Sequence, residues 1–262
     1  MRRIDTTELK VLQMEILDYV HKFCVQKGIK YSLACGTLIG AVRHGGFIPW
    51  DDDIDIMLPR DEFDILTALW NNSAHPYIFH CIEKGNNFGF PYGKISNPLT
   101  VMNDAGFKNM GVNIDVFPID GVVDMEDFNT RHQQVLDEYL EMSYVNRSLS
   151  GSLNKIIRNL VRRIQHFPNT PAKVAKNISR IAQMKNGEKC EFLFEMVAGR
   201  GYKAPFLASS FDEVKLMKFE DREYNVLVGY DNYLTCMFGD YMKLPPVEEQ
   251  VSHHNFEAWW KE

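Results

Sequence analysis

Four carboxylates stand close together at Asp51, Asp52, Asp53 and Asp55, and their neighbours decide what chemistry they can do. Asp53 and Asp55 are two residues apart. In an extended strand their side chains share one face, while Ile54 and Ile56 turn toward the core. Paired carboxylates repel each other unless a hard cation lies between them, and Mg²⁺ takes oxygen ligands and phosphate co-ligands. Upstream, Gly36-Thr37 closes a short apolar run, where a tight turn would offer backbone N–H groups and a hydroxyl to a phosphate. Arg43 and His44, followed by two glycines, add a cationic corner. Farther on, Asp115 is set singly between Ile114 and Val116. A carboxylate in an apolar strand needs a donor or a metal, and with a pair already placed upstream it is the natural third ligand. Asp51 is a further candidate ligand or an outer partner, whereas strand alternation turns Asp52 away. A bare Asp-Asp-Asp run would read as a solvated turn. Fusion to an apolar strand, a Gly-Thr turn and an Arg-His pair favours metal and phosphate.

The elements that must hold these residues follow from periodicity. Asp5 begins a helix whose stripe is Leu9, Leu12, Ile16, Tyr19, Val20 and Phe23, and Gly28 ends it. Residues 29–34 read as a strand, 38–42 as a short helix aimed at the Gly-Thr turn, and Pro59-Arg60-Asp61-Glu62 as a second helix start. Strands are expected at 77–82 and 88–95, the latter carrying Lys94, with 99–102 pairing alongside. After Asp127 a long polar helix spans 128–145. Two apolar stripes follow, Leu153, Ile156, Ile157, Leu160, Val161 and Ile164, then Val174, Ala175, Ile178, Ile181 and Ala182. Between 153 and 189 nine Lys or Arg face one acid, a net +8 in a chain of −6, so the remainder carries −14. Such a basic helical hairpin suits an anionic membrane or a polyanionic acceptor; a solvated basic face packed on the core is the plainer reading. The organisation expected is a catalytic core over 1–127, a basic helical insertion over 128–190, and a portion over 191–262 that completes the catalytic domain. His253-His254 reads as part of an aromatic surface cap, not as a metal site.

Composition bounds the class. A length of 262 residues with 45% apolar content supports a large core. Net charge −6 argues against a dedicated nucleic-acid partner. The five cysteines are scattered, with neither zinc spacing nor a disulfide framework, and the N-terminus lacks the apolar core of a signal peptide. A cytoplasmic protein is expected, with peripheral contact to the inner face of the membrane through 153–189 left open.

The Gly-Thr turn, Asp53-Ile54-Asp55-Ile56 and Ile114-Asp115-Val116 resemble the nucleotidyltransferase superfamily. More narrowly, GTLIGAVRHGGFIPWDDDIDIMLPRDEF resembles the signature of the LicD family of phosphotransferases, related to the fukutin-type proteins, with GKISNPLT, VNIDVFPIDG and LTCMFGDYMKLPP as later landmarks. The resemblance runs over 28–246. It implies an α+β fold: a nucleotidyltransferase-like mixed β-sheet with flanking helices, here with the basic helical hairpin inserted. It also implies transfer of a phospho-alcohol, typically phosphocholine from CDP-choline, onto a hydroxyl of a cell-surface glycan such as capsule, teichoic acid or lipopolysaccharide; binding of anionic vesicles by the basic hairpin would point to a lipid-linked acceptor. In that chemistry Asp53, Asp55 and Asp115 would be catalytic and hold Mg²⁺ (or Mn²⁺), and Gly36 and Thr37 would meet phosphate oxygens. Arg43, with His44 beside it, and Lys94 would face the diphosphate. A quaternary ammonium calls for an aromatic cage, for which Trp50, Phe90, Tyr92 and Tyr241 are the candidates. Two alternatives stay open: nucleotidyl transfer with release of pyrophosphate, and a non-catalytic nucleotide- or glycan-binding subunit.

Overall fold

A computed structural model describes residues 1–71, 74–85, 88–103, 110–145, 152–199, 204–252 and 256–262; the His253-His254 pair lies outside them. The chain opens with β1 (Arg2–Ile4) and α1 (Thr6–Lys27). Asp5 caps α1 by accepting from the Glu8 N–H at 2.8 Å, and Gly28 ends it in the left-handed region at φ 68°. The expected stripe is the buried one: Leu9, Leu12, Ile16, Val20 and Phe23 lie in the interior, with Tyr19 packed at its margin.

A mixed sheet organises the rest. It contains β2 (Ser32–Leu33), β3 (Asp55–Pro59), β7 (Asn113–Val122), β5 (Gly93–Ser96) and β4 (Ile78–His80), side by side in that order. β3 runs parallel to β7, while the pairings β2–β3, β7–β5 and β5–β4 are antiparallel. The far end of β7 continues into β8 (Phe192–Phe194), which pairs with β9 (Phe206–Leu207). α2 (Cys35–His44) and α3 (Arg60–Asn71) flank β3. A hairpin of β10 (Val214–Phe219) and β11 (Arg222–Leu227) packs beside β2 and α2, and α7 (Tyr230–Phe238) follows it. The chain is thus of α+β class.

Several sequence expectations are corrected. The strand expected at 29–34 shortens to the two residues of β2, because the chain turns into α2 at Cys35. Gly36 and Thr37 therefore lie in the first turn of a ten-residue helix and not in a loop before one. The segment expected at 99–102 is β6 (Thr100–Asn103), but it pairs with β12 (Glu257–Trp260), which also pairs with β1, in a separate three-stranded sheet. Local pattern cannot announce a partner some 150 residues away.

The helical region comprises α4 (Met125–Val145), α5 (Leu153–Gln165) and α6 (Pro171–Ala182). α6 buries Val174, Ala175, Ile178, Ile181 and Ala182 as its stripe requires, chiefly against α4. α5 also packs on α4, so the basic segment is two helices leaning on a third more than a free hairpin. The apolar stripe of α5, unlike that of α6, faces outward: Leu153, Ile157, Leu160, Val161 and Ile164 are all exposed. Among the described residues no helix is long and apolar enough to cross a membrane.

Candidate active site

The site is built from the sheet outward. Register places Asp55 of β3 opposite Asp115 of β7, and Asp115 opposite Lys94 of β5. Neighbours across a ladder share a face, so three charged residues form a row across the sheet. Lys94 Nζ donates to Asp115 Oδ1 at 2.5 Å and to Asn113 Oδ1 at 3.3 Å. The half-buried carboxylate that needed a donor or a metal has Lys94 as its donor. The same ammonium stands 5.2 Å from the ring centre of Phe90 and 5.7 Å from that of Tyr92, within the range of cation–π attraction.

A cavity of about 110 Å³ opens here, lined by Asp53, Asp115, Lys94, Asn113, Phe90, Tyr92, Gln13 and Phe256 among others. Gln13 is buried at the base of it. Its Nε2 donates to the Asp52 carbonyl at 3.1 Å, while its Oε1 has no hydrogen-bond partner among the described residues. A larger cleft of about 580 Å³, between the start of α1 and the turn of the β10–β11 hairpin, contains none of the motif acids.

Asp51, Asp52 and Asp53 precede β3 in irregular backbone, so strand alternation does not govern them. Asp52 had been expected to turn away. Instead, each of the three offers a carboxylate oxygen, and these oxygens lie within 4.8 Å of one another. Asp52 Oδ2 also accepts from Ser252 Oγ at 2.9 Å. Asp53 belongs both to this cluster and to the cavity, and so links the acidic loop to the row on the sheet. Asp55 is buried beside Asp115 and does not line the cavity.

α2 explains the Gly-Thr pair differently from a phosphate turn. A Cβ built on Gly36 would lie 2.5 Å from Asp51 Oδ2, so only glycine lets that carboxylate lie against the first turn of the helix. A negative charge is favoured there by the helix dipole. Thr37 is buried, and its Oγ1 accepts from the Asp55 N–H at 2.9 Å, which anchors the start of β3.

The helix itself is anchored at Cys35, whose φ of 46° is unusual for a residue with a side chain. Its N–H donates to Tyr233 Oη at 3.2 Å, and Tyr233 in turn donates to the fully buried Glu195 at 2.7 Å.

Arg43 and His44 lie at the opposite end of α2 from Gly36, roughly 10 Å along the axis at 1.5 Å per residue. Arg43 Nη1 donates to the Tyr241 carbonyl at 2.7 Å and the Lys243 carbonyl at 3.3 Å, which ties α2 to that loop. His44 is largely exposed; partial desolvation of its ring, then Arg43 alongside, lowers its pKa below the ordinary value. Tyr241 donates to Asp231 at 2.6 Å, and burial followed by that bond pushes its phenol well above the usual range. The structure therefore gathers Asp51, Asp53, Asp55, Asp115, Lys94 and Gly36 into one region and sets Arg43, His44 and Tyr241 in another.

Sequence reasoning missed Gln13, Asn113, Glu195, Tyr233 and Ser252. Asn113 stands two residues before Asp115 in its strand, a spacing that places both on one face and could have found it. The others come from distant segments and have no local signal.

Other proteins are similar to this chain. Residues 28–145 match the family model described as LicD/FKTN/FKRP, nucleotidyltransferase domain. Lipopolysaccharide cholinephosphotransferase LicD of Haemophilus influenzae is 31% identical over 99% of each chain. Mannosyltransferase regulator 4 of Saccharomyces cerevisiae is 31% identical over 44% of this chain but only 9% of its own length. An uncharacterised protein of Rickettsia prowazekii is 42% identical over 21% of each. This chain belongs to the LicD family.

Proposed function

We propose that the protein transfers phosphocholine from CDP-choline to a hydroxyl of a cell-surface glycan, releasing CMP. The observation that carries this reading is the single cavity in which Asp53, Asp115 and Lys94 meet the rings of Phe90 and Tyr92. It pairs groups suited to a metal-bound diphosphate with a place that already favours an organic cation. Full-length similarity to a cholinephosphotransferase supports the same choice of substrate.

The donor set fits Mg²⁺, or Mn²⁺. It consists of hard carboxylate oxygens, with the orphaned Gln13 Oε1 nearby as an acceptor for a bound water. Asp53 and Asp115, which face the cavity, would hold the ion, with Asp51 and Asp52 of the acidic cluster, and Asp55 buried beside Asp115, supplying further oxygens. The bound ion would neutralise charge on the diphosphate and on departing CMP.

The protein's own groups do the rest. Lys94 turns from Asp115 to the phosphate oxygens as a point charge. The acceptor hydroxyl oxygen then bonds to the phosphorus that carries choline, the bond from that phosphorus to the CMP oxygen breaks, and the hydroxyl proton passes to Asp115. Phe90 and Tyr92 hold the trimethylammonium group, a role that aromatic faces perform through their quadrupole.

The test is release of CMP by the purified protein with Mg²⁺, from CDP-choline, CDP-ethanolamine, CDP-glycerol and CDP-ribitol, with CTP as comparison and glycan present or absent. CMP from CDP-choline, stimulated by glycan and at least about a hundredfold lower in Asp53→Asn, is expected. Pyrophosphate from CTP would replace this reading with nucleotidyl transfer. Undiminished CMP release by Asp53→Asn would overturn the assigned site. Tight binding of CDP-choline with no turnover on any glycan would indicate a binding subunit.

A further inference from the structure

α5 is an inside-out helix. Leu153, Ile157, Leu160, Val161 and Ile164 are 71%, 51%, 45%, 47% and 65% exposed, and Phe167 just beyond the helix is 81% exposed. At 3.6 residues per turn the five helical positions fall within an arc of about 100°. The buried side of the same helix carries polar groups. Asn159 is 4% exposed, and at the helix end His166 Nδ1 meets Glu141 Oε2 of α4 at 2.6 Å and stacks on Tyr144 at 4.5 Å. Asn169 donates to Glu141 Oε1 at 2.8 Å. The polar contacts fix the helix to α4 in the orientation that leaves its apolar face outside.

Neighbouring α6 shows that this is not general to the region. Its stripe is no more apolar, yet it is packed inward. The charge pattern says what the outward face meets. α5 has no acid, and Lys155, Arg158 and Arg162 stand on the side away from the apolar arc. An apolar face opposed by cations is the pattern of a helix lying in the headgroup region of an anionic bilayer, with long basic side chains reaching back to the phosphates. A second copy of the chain has acids to offer but would have to set them around a matching apolar surface, whereas a bilayer of anionic phospholipid supplies both the apolar layer and the counter-charge.

We propose that α5 is a membrane-docking helix, which lies in the plane of an anionic phospholipid surface with Leu153, Ile157, Leu160, Val161, Ile164 and Phe167 inserted. The docking rests on the geometry of α5 and is independent of which phospho-alcohol the cavity takes. It would hold the site at the surface where a lipid-linked glycan is presented.

The test is co-sedimentation of the full chain with vesicles of phosphatidylglycerol and phosphatidylcholine, against phosphatidylcholine alone. The wild type should bind the anionic vesicles and bind neutral ones roughly tenfold less. Leu160→Glu/Ile164→Glu should lose binding by at least about tenfold, with far-UV circular dichroism unchanged because both sites are exposed. Arg158→Glu/Arg162→Glu should lose the anionic preference. Failure of the wild type to sediment at low salt would overturn the proposal, as would binding by Leu160→Glu/Ile164→Glu equal to wild type. A dimer in light scattering that Leu160→Glu/Ile164→Glu dissolves would assign the face to a second copy and overturn it too.

Discussion

Gly36 tests the difference between a residue chosen for stability and one chosen for a close approach. Alanine in its place would favour α2 by about 0.5–1 kcal/mol on helix propensity. The new methyl would meet Asp51 Oδ2, the free end of a side chain, which can swing away at little cost to the fold. Gly36→Ala is therefore expected to keep or raise the melting temperature while CMP release falls roughly tenfold or more, because the acidic cluster is displaced. Calorimetry beside the assay checks both halves. A parallel fall in stability and activity would mean that Gly36 serves packing instead. At this scale the sequence was informative about residue types and less so about their geometry. Asp53 and Asp115 were legible together because a carboxylate set into an apolar strand demands a partner, whereas Lys94 entered only through the family resemblance, as a contact to the diphosphate and not as the donor to Asp115. The inclusion of Asp52 was not legible, since the strand begins only at Asp55 and the loop before it obeys no period. Nor could the sequence show that Thr37 spends its hydroxyl on the Asp55 N–H.

β7 is the element through which the site is tied to the helical region. At its far end Asp120 receives two hydrogen bonds from Arg60, both 2.8 Å, in a fully buried fork. Arg131 of α4 donates to the Gly121 carbonyl at 2.7 Å and to the Ala182 carbonyl of α6 at 2.8 Å, and pairs with Asp127. Burial alone would raise the Asp127 pKa, but the hydrogen bond from Arg131 and the Val123 N–H together hold it below the usual value. A carboxyl whose folded pKa is depressed stabilises the fold above its unfolded value, about 3.9. That contribution disappears as pH falls through the folded value. Asp127→Asn should thus lower the melting temperature at pH 7, and the gap to wild type should close as pH falls from about 4 through the depressed folded value. A gap that stayed constant to pH 2 would refute the charge argument. α1, α5 and α6 were readable from apolar spacing, and α1 and α6 bury the expected stripes. The same spacing in α5 leads outward, because period shows that a helix has an apolar face but not what covers it.

For the whole molecule, the second core matters most. Ile4, Leu9, Leu12, Met102, Val112 and Ala258 form a cluster separate from the main interior, closed by the β1–β12–β6 sheet. Ala258 is 3% exposed and pairs with both Ile4 and Met102. Ala258→Glu would bury a charge there and cost at least about 2 kcal/mol. Phe256 lines the cavity and Ser252 holds Asp52, so the same change should also lower CMP release while the main sheet keeps its circular dichroism. Full activity with a loosened small sheet, seen as faster hydrogen exchange over residues 2–4 and 257–260, would separate the two. No local pattern announced this sheet, because its strands are supplied by three remote parts of the chain.

That arrangement has a consequence in time. The main sheet, β2 to β7, joins strands within about 90 residues of one another, whereas β12 must reach back more than 150 residues to β6 and some 250 to β1. Closing the longest loops comes last when entropy sets the order. A refolding chain would pass through a stage with the β2–β3–β7–β5–β4 sheet and its flanking helices in place but with neither Tyr233 docked on Cys35 nor Asp52 yet held by Ser252. The competence to handle a donor would mature after the bulk of the fold, and the protein would be formed before it was able to act.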